Sequence, residues 1–310
     1  MMKWEKKGLI YYPHGEYDWM LDRAMVPVCE LVSANLLRIY FSVRDKNGRS
    51  TPIYIETNPE YPEKIIRINE KPILTFGNPG SFDDNGITSS SIVRVENRRY
   101  LYYIGWNPKV TVSYHLSIGL AISDDDQPFK KFSAGPILDR AIDEPYFNTA
   151  PCVMLDDGIW KMWYVSCTGW KMIDNRNEPV YNIKYSVSKD GIKWERTGIV
   201  AIDNDSFAEA IGKPFVYKES DVFRMIYSYR SSINYRTNPA TSYRLGYAES
   251  LDGIKWERLD DRIGIGLSSS GWDSLMMEYA SSYVFNEKRY LVYNGNGFGE
   301  SGFGYAVGQI

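Results

Sequence analysis

The heptapeptide DGIKWER occurs twice without change, at Asp190 to Arg196 and at Asp252 to Arg258, with starts 62 residues apart. A repeat of that length restricts the fold to architectures in which like pieces stack, so the period is read before anything else. A second series keeps the same period. The runs LRIYFS, LYYIGW, KMWYVS, RMIYSY and LVYNGN carry Tyr40, Tyr103, Tyr164, Tyr227 and Tyr293, spaced by 63, 61, 63 and 66 residues. Five copies of one unit fill the chain.

Within a unit the order is constant: an apolar run such as PVCELV or APCVML, then the tyrosine strand, then a third strand such as IKYSVS or LGYAES. In the third and fourth units an Asp-Gly turn and a Trp-bearing fourth strand follow. Short β-branched and aromatic runs between Gly, Asn and Asp read as strands and turns, and no long run has helical periodicity. The reading is all-β: a five-bladed β-propeller of four-stranded antiparallel blades, formed as one domain over residues 1–310. The fifth unit stops after FGYAVG, one strand short, while KWEKKGLI near the start resembles KWERTGIV at Lys193 to Val200. The N-terminal segment is therefore expected to close the last blade.

Charge excludes some partners. The formal net charge is −3 with both signs interspersed, so no field exists to recruit nucleic acid or an anionic membrane. Cys29, Cys152 and Cys167 lack CxxC spacing and lie in strand-like runs, where they read as reduced core thiols. There is no apolar leader and no stretch long enough to span a bilayer, so a cytoplasmic location is expected.

In a propeller the loop leading into each inner strand and the loop after each second strand open on the ligand face. Counting back from Pro27, Ser90, Pro151, Pro214 and Ser282, each unit has a carboxylate four to seven residues earlier: Asp22, Asp84 beside Asp83, Glu144, Glu209 and Glu278. These are expected to converge on the channel mouth, where close like charges raise each other's pKa. The other wall is expected to come from Arg44, Trp106, Trp170, Arg230, Arg236 and Asn294, since rings stack on sugar faces while Arg and Asn bind hydroxyls. The SxDGxxW turns, Ser188 to Trp194 and Ser250 to Trp256, fall on the far face and read as structural, with Asp accepting turn N–H groups.

Other chemistries lack their parts. His14 and His115 are the only histidines and no GxSxG elbow accompanies them. There is no HExxH, no paired CxxC and no phosphate loop, so neither a metal nor a cofactor is expected. Carboxylate chemistry is left, and paired carboxyl groups suit glycosidic bond cleavage. The expected ligand is a small carbohydrate or glycan. Non-catalytic glycan binding, and phosphorolysis or transfer with Arg44, Arg230 and Arg236 as an anion pocket, are the alternatives.

By its unit pattern the chain resembles the five-bladed propeller glycoside hydrolases of families 43, 62, 32 and 68, and more distantly the family 130 mannoside phosphorylases. The similarity to family 43 implies a base or nucleophile at Asp22, a tuning carboxylate at Glu144 and an acid at Glu209. Asp84 and Glu278 are expected to bind sugar hydroxyls or share catalysis. The stretch FDDNGITSSSI resembles the family 130 pattern, with Thr88, Ser89, Ser90 and Ser91 where that pattern has Glu-Asp-Pro-Arg.

Overall fold

A computed structural model describes residues 2–309. After β1 (Trp4–Tyr11), the strands β2 (Asp22–Ser33), β3 (Leu36–Arg44), β4 (Ser50–Thr57) and β5 (Ile65–Ile68) pair in sequence as an antiparallel sheet. The next sheet repeats that order with β6 (Ile87–Val95), β7 (Arg98–Pro108), β8 (Tyr114–Asp124) and β9 (Lys130–Lys131). The third unit, β10 (Asn148–Asp156), β11 (Ile159–Ile173), β12 (Arg176–Ser188) and β13 (Trp194–Ile202), is joined to the fourth by one parallel bridge, Tyr181 to Ala210. The fourth consists of β14 (Ala210–Glu219), β15 (Val222–Arg230), β16 (Arg244–Ser250) and β17 (Glu257–Arg258).

The last unit has only β18 (Glu278–Phe285), β19 (Lys288–Asn294) and β20 (Phe303–Gln309) from its own stretch of chain. Its outer strand is β1, which pairs antiparallel with β20 from Trp4 opposite Gly308 to Tyr11 opposite Phe303. The two ends of the sequence thus share one sheet, as the KWEKKGLI segment suggested. Helical pieces among the described residues are limited to Asp260–Arg262 and Asn296–Gly299, and no helix is long and apolar enough to cross a membrane.

The first strands of the units touch in succession: β2 with β6, β6 with β10, β10 with β14, β14 with β18, and β18 with β2. Because strand side chains alternate between faces, each sheet buries apolar residues on both sides, and the core lies between successive units. Tyr40 and Val28 pack on Phe82 and Leu101, Tyr102 and Ile118 on Trp160 and Met162, and Trp163 and Tyr185 on Phe223 and Met225. Ile226 and Tyr247 pack on Leu291 and Ala306, and Val292 and Phe303 on Phe41 and Ile53.

Each tyrosine of the repeated series ends on a carboxylate. Tyr40 donates to Glu30 at 2.7 Å, Tyr103 to Asp83 at 3.0 Å, Tyr164 to Glu144 at 2.8 Å, Tyr293 to Asp273 at 3.0 Å, and Tyr227 to Asp260. A buried hydroxyl needs an acceptor, and a carboxylate drawn in with it needs a cation. In four units that cation comes from the outermost strand. Lys131 lies 2.6 Å from Asp83, Arg196 3.0 Å from Glu144, Arg258 2.8 Å from Asp260 and Lys6 2.6 Å from Asp273. The first unit uses Arg38 and Arg99 instead, 3.7 and 3.8 Å from Glu30. Lys6, Arg196 and Arg258 hold the same place in KWEK, KWER and KWER. In three units, therefore, the repeat carries the clamp that ties the outer strand to its tyrosine.

The far-face turns are built from their own side chains. The Asp190 carboxylate accepts the N–H groups of Ile192 and Lys193 at 2.9 and 2.8 Å, and Asp252 does the same for Ile254 and Lys255. Gly191, at φ +72°, passes so close to the previous unit that an added Cβ would lie 2.8 Å from the Tyr102 hydroxyl. That hydroxyl donates to the Gly191 carbonyl at 2.8 Å, so the turn is also a joint between sheets.

Candidate functional site

One cavity of about 600 Å³ opens where the first strands meet, and every unit contributes to its wall. The reason lies in a bulge that recurs in each first strand. Pairing slips between Met25 and Val28, Ser89 and Ser91, Thr149 and Cys152, Gly212 and Phe215, and Glu278 and Ser281. An extra residue in one strand turns its side chain out of the ladder. Val26, Ala150, Lys213 and Tyr279 sit at these slips with φ between +46° and +56°, and all four line the cavity. Left-handed backbone at a β-branched valine and before a proline is strained, and such strain gathers where a site needs a fixed geometry.

The wall is aromatic and cationic. Trp106, Tyr114, Phe147, Tyr181, Tyr235, Tyr243, Tyr279 and Phe298 supply rings, while Arg23, Arg44, Arg176, Lys213, Arg230 and Arg236 supply positive charge. The only carboxylate lining it, among the described residues, is Glu300 at the rim. The Arg230 guanidinium lies 3.8 Å from the Tyr235 ring centre and donates to the Tyr243 hydroxyl at 3.2 Å; that hydroxyl is 2.6 Å from the Tyr181 hydroxyl. Glu178 stands behind this group, accepting from Tyr235 at 3.0 Å and from Arg236 at 2.5 Å.

Of the residues picked from the sequence, Arg44, Trp106, Arg230 and Arg236 line the cavity. Trp170 lies one layer back, edge-on to Tyr114 and Phe147. Asn294 is a buried tie: its amide oxygen accepts the Val26 N–H at 2.7 Å and its nitrogen donates to the Ala24 carbonyl at 2.6 Å, joining the last unit to the first.

The carboxylates do not gather in one bowl. Asp83 and Glu144 are buried in tyrosine clamps, and Asp84 shapes its own loop through the Gly80 N–H and Asn107. Burial alone would raise the Glu144 carboxyl, but the Tyr164 hydroxyl, Arg196, Lys184 and Ser166 together hold it below the usual range. Glu209 behaves alike. Burial pushes it up, yet Lys171 and the Ser232 amide outweigh that and keep it ionised. Asp22 is exposed and lies opposite the wall residue Arg44 in register, without lining the cavity itself. The convergence expected from loop position fails here because these side chains turn toward partners brought by other strands and loops.

Glu278 is the exception. It is fully buried and neither carboxyl oxygen finds a hydrogen-bond partner. Burial drives its pKa well above the ordinary carboxyl range. It sits directly before Tyr279, a wall residue. Lys213 went unread in the sequence. The signal was available, since a lysine stands before Pro214 where the first and third units have Val26 and Ala150 before their prolines.

A second hollow, of about 430 Å³, lies between Lys3 and Gln309 on one side and Arg224 and Glu249 on the other. It draws on two units only. Among the described residues no group of three or more His, Cys, Asp and Glu side chains is placed to hold a metal ion.

No protein-family model matches the chain. Two Mycobacterium tuberculosis proteins do: "Uncharacterized protein Rv1502" of strain ATCC 25618 / H37Rv and "Uncharacterized protein MT1551" of strain CDC 1551 / Oshkosh. Each is 38% identical over 309 residues, covering 99% of this chain and 99% of the relative. The chain belongs to the family of these two proteins.

Solved structures extend the likeness in fold. A thermostable family-43 glycoside hydrolase matches with a TM-score of 0.65 at 18% identity, covering 92% of this chain and 88% of its own. A glycosyl hydrolase from Bacteroides ovatus matches at 0.72 and 14%, covering 99% and 93%. A structure from the GH130 family of mannoside phosphorylases, described as containing glycoside hydrolases that target β-1,2 mannosidic linkages in Candida mannan, matches at 0.71 and 14%, covering 99% and 94%. The resemblance to the propeller glycoside hydrolases holds at the level of the fold.

Proposed function

We propose that the protein is a five-bladed β-propeller, each four-stranded unit a blade, and that it is a glycan-processing enzyme with its substrate in the central cleft. The observation that supports this most is the wall itself, built by all five units from aromatic rings and multidentate donors. Rings cover the C–H faces of a sugar, and arginine, tyrosine and threonine groups meet its hydroxyls. The fold shared with glycoside hydrolases and phosphorylases agrees with this reading.

Cleavage needs a proton donor that is still protonated near neutral pH. Burial pushes Glu278 in that direction, whereas Glu144 and Glu209 are pulled below the ordinary carboxyl range. In this reading Glu278 passes its proton to the leaving glycosidic oxygen. Asp22, cross-strand from the wall residue Arg44, takes a proton from the attacking water or attacks the anomeric carbon. The acid role thus moves from Glu209 to Glu278.

A screen of aryl glycosides and oligosaccharides, scored for binding and for cleavage, tests the proposal. Glu278→Gln is expected to lower turnover about 10²- to 10⁴-fold while binding persists, and Glu209→Gln to leave turnover nearly unchanged. The reverse pattern would return the acid role to Glu209. A second reading, binding without cleavage, has one observation in its favour: Glu278 has no exposed surface in the empty cleft. Tight glycan binding with no turnover across the screen would decide for it.

A further inference from the structure

The cleft holds more positive charge than its surroundings cancel. Of its six cations, Arg23 is 3.6 Å from Glu300, and Arg176 and Arg236 share Glu178 at 3.7 and 2.5 Å. The remaining three, Arg44, Lys213 and Arg230, form no ion pair among the described residues: Arg44 feels Asp22 across the strand pair beyond ion-pair distance, Arg230 donates only to the neutral Tyr243 hydroxyl and the Ser231 and Pro179 carbonyls, and Lys213 and Arg230 are almost wholly buried. The Arg44 Nε is buried without a hydrogen-bond partner. An unpaired buried charge is costly, and a protein keeps one chiefly where something else supplies the counter-charge.

Resting on the reading of the cleft as a glycan site, we propose that its ligand is an anionic sugar, carrying a carboxylate or a phosphate, and that Arg44, Lys213 and Arg230 receive that group. Three features support this. The planar guanidinium fork matches both anions through paired hydrogen bonds, and lysine adds a point charge. Lys213 projects from a bulge whose counterparts in the first and third units carry Val26 and Ala150, so one unit has placed an ammonium where the repeat needs only an apolar side chain. Glu278, the carboxyl acting on Arg230 from behind, forms no ion pair with it among the described residues, and burial pushes its pKa well above the ordinary carboxyl range.

Titration calorimetry on the full chain with matched sugars provides the test. Glucuronate- and galacturonate-containing disaccharides are compared with their neutral hexose counterparts, hexose phosphates with free hexoses, and inorganic phosphate is run alone. At least one charged sugar is expected to bind about tenfold or more tightly than its neutral partner. Lys213→Met and Arg44→Met, each checked for an intact melting transition, are expected to erase most of that preference. The uronate and phosphate arms identify which anion is carried.

Equal binding of charged and neutral sugars overturns the anionic ligand and leaves the glycan reading standing. Inorganic phosphate binding as tightly as any hexose phosphate, with uronates silent, overturns a charge borne on the sugar. A preference that survives both substitutions removes these residues from the role. Failure of every sugar, charged or neutral, brings down the glycan reading as well.

Discussion

The tyrosine clamps and the central cleft handle charge in opposite ways. In the clamps every carboxylate meets a tyrosine hydroxyl and a cation, and in four units the cation comes from the outermost strand. In the cleft three cations have no carboxylate partner among the described residues. The clamps are nearly the same in each unit; the cleft differs in each. Sameness across units marks what holds the sheets, and departure from the repeat marks what the molecule does with them. Glu144 and Glu278 make the contrast within one residue type: one is gripped by Tyr164, Asn148, Ser166 and Arg196, while the other forms no ion pair among the described residues and burial outweighs the pull of Tyr279 and Arg230 on it.

The most severe way to test the clamp side is to remove residues 1–10. That deletes nearly all of β1, bares the edge of β20 and leaves Asp273 buried without Lys6. Losing a buried partner alone costs about 3–5 kcal/mol, so urea unfolding should show a larger loss than that. A truncated chain that melts with the full one would break the comparison at its base.

Glu144→Gln comes next, with an expected cost of about 3–5 kcal/mol because Arg196 and Lys184 lose their counter-charge. The folded carboxyl titrates below its ordinary value of 4.5, so its stabilisation is complete above that pH and fades as pH falls through the lowered value. The gap between parent and variant should therefore close in acid. A Glu144→Gln protein of parental stability that has lost turnover would mean the clamp is catalytic after all.

Lys213→Met sharpens the cleft side, and its sign is opposite. Burial lowers the Lys213 ammonium from 10.5 to about 8, which corresponds to roughly 3 kcal/mol against folding at neutral pH. The penalty is fully present below about 8 and fades as pH rises toward the unfolded value of 10.5. The variant should melt higher than the parent at pH 7 and converge with it in alkali. Anion affinity of the parent should fall as pH passes about 8. The thiols acting on Lys213, Cys29 and Cys152, are pushed up by burial, Cys29 to about 12, so neither ionises first.

The smallest effect belongs to the far face. Asp190→Ala removes the acceptor for two turn N–H groups and should cost about 1–2 kcal/mol, with sugar binding untouched. A change in affinity there would blur the division between the two faces.

Much of the framework was legible because it is repetitive. DGIKWER and the tyrosine spacing located the strands, KWEKKGLI located the partner of β20, and SxDGxxW located turns whose aspartates do accept local N–H groups. The carboxylates were misleading for a physical reason. An acid four to seven residues before an inner strand can swing toward the cleft or away from it, and the choice rests on a cation about 40 to 50 residues off in the sequence, as with Arg196 for Glu144, Lys131 for Asp83 and Lys171 for Glu209. Lys213 was hidden differently. A lysine inside an apolar run reads as a strand residue until the bulge shows which way it turns.

The pairing of β1 with β20 has a bearing on how the chain is made. β1 is synthesised about three hundred residues before β20 and stays unmatched until β20 has emerged. A nascent chain that has not yet reached β20 keeps a bare sheet edge that invites association with other chains. The fold thus couples its earliest strand to its latest one, and the last sheet has no outer edge strand until both are present.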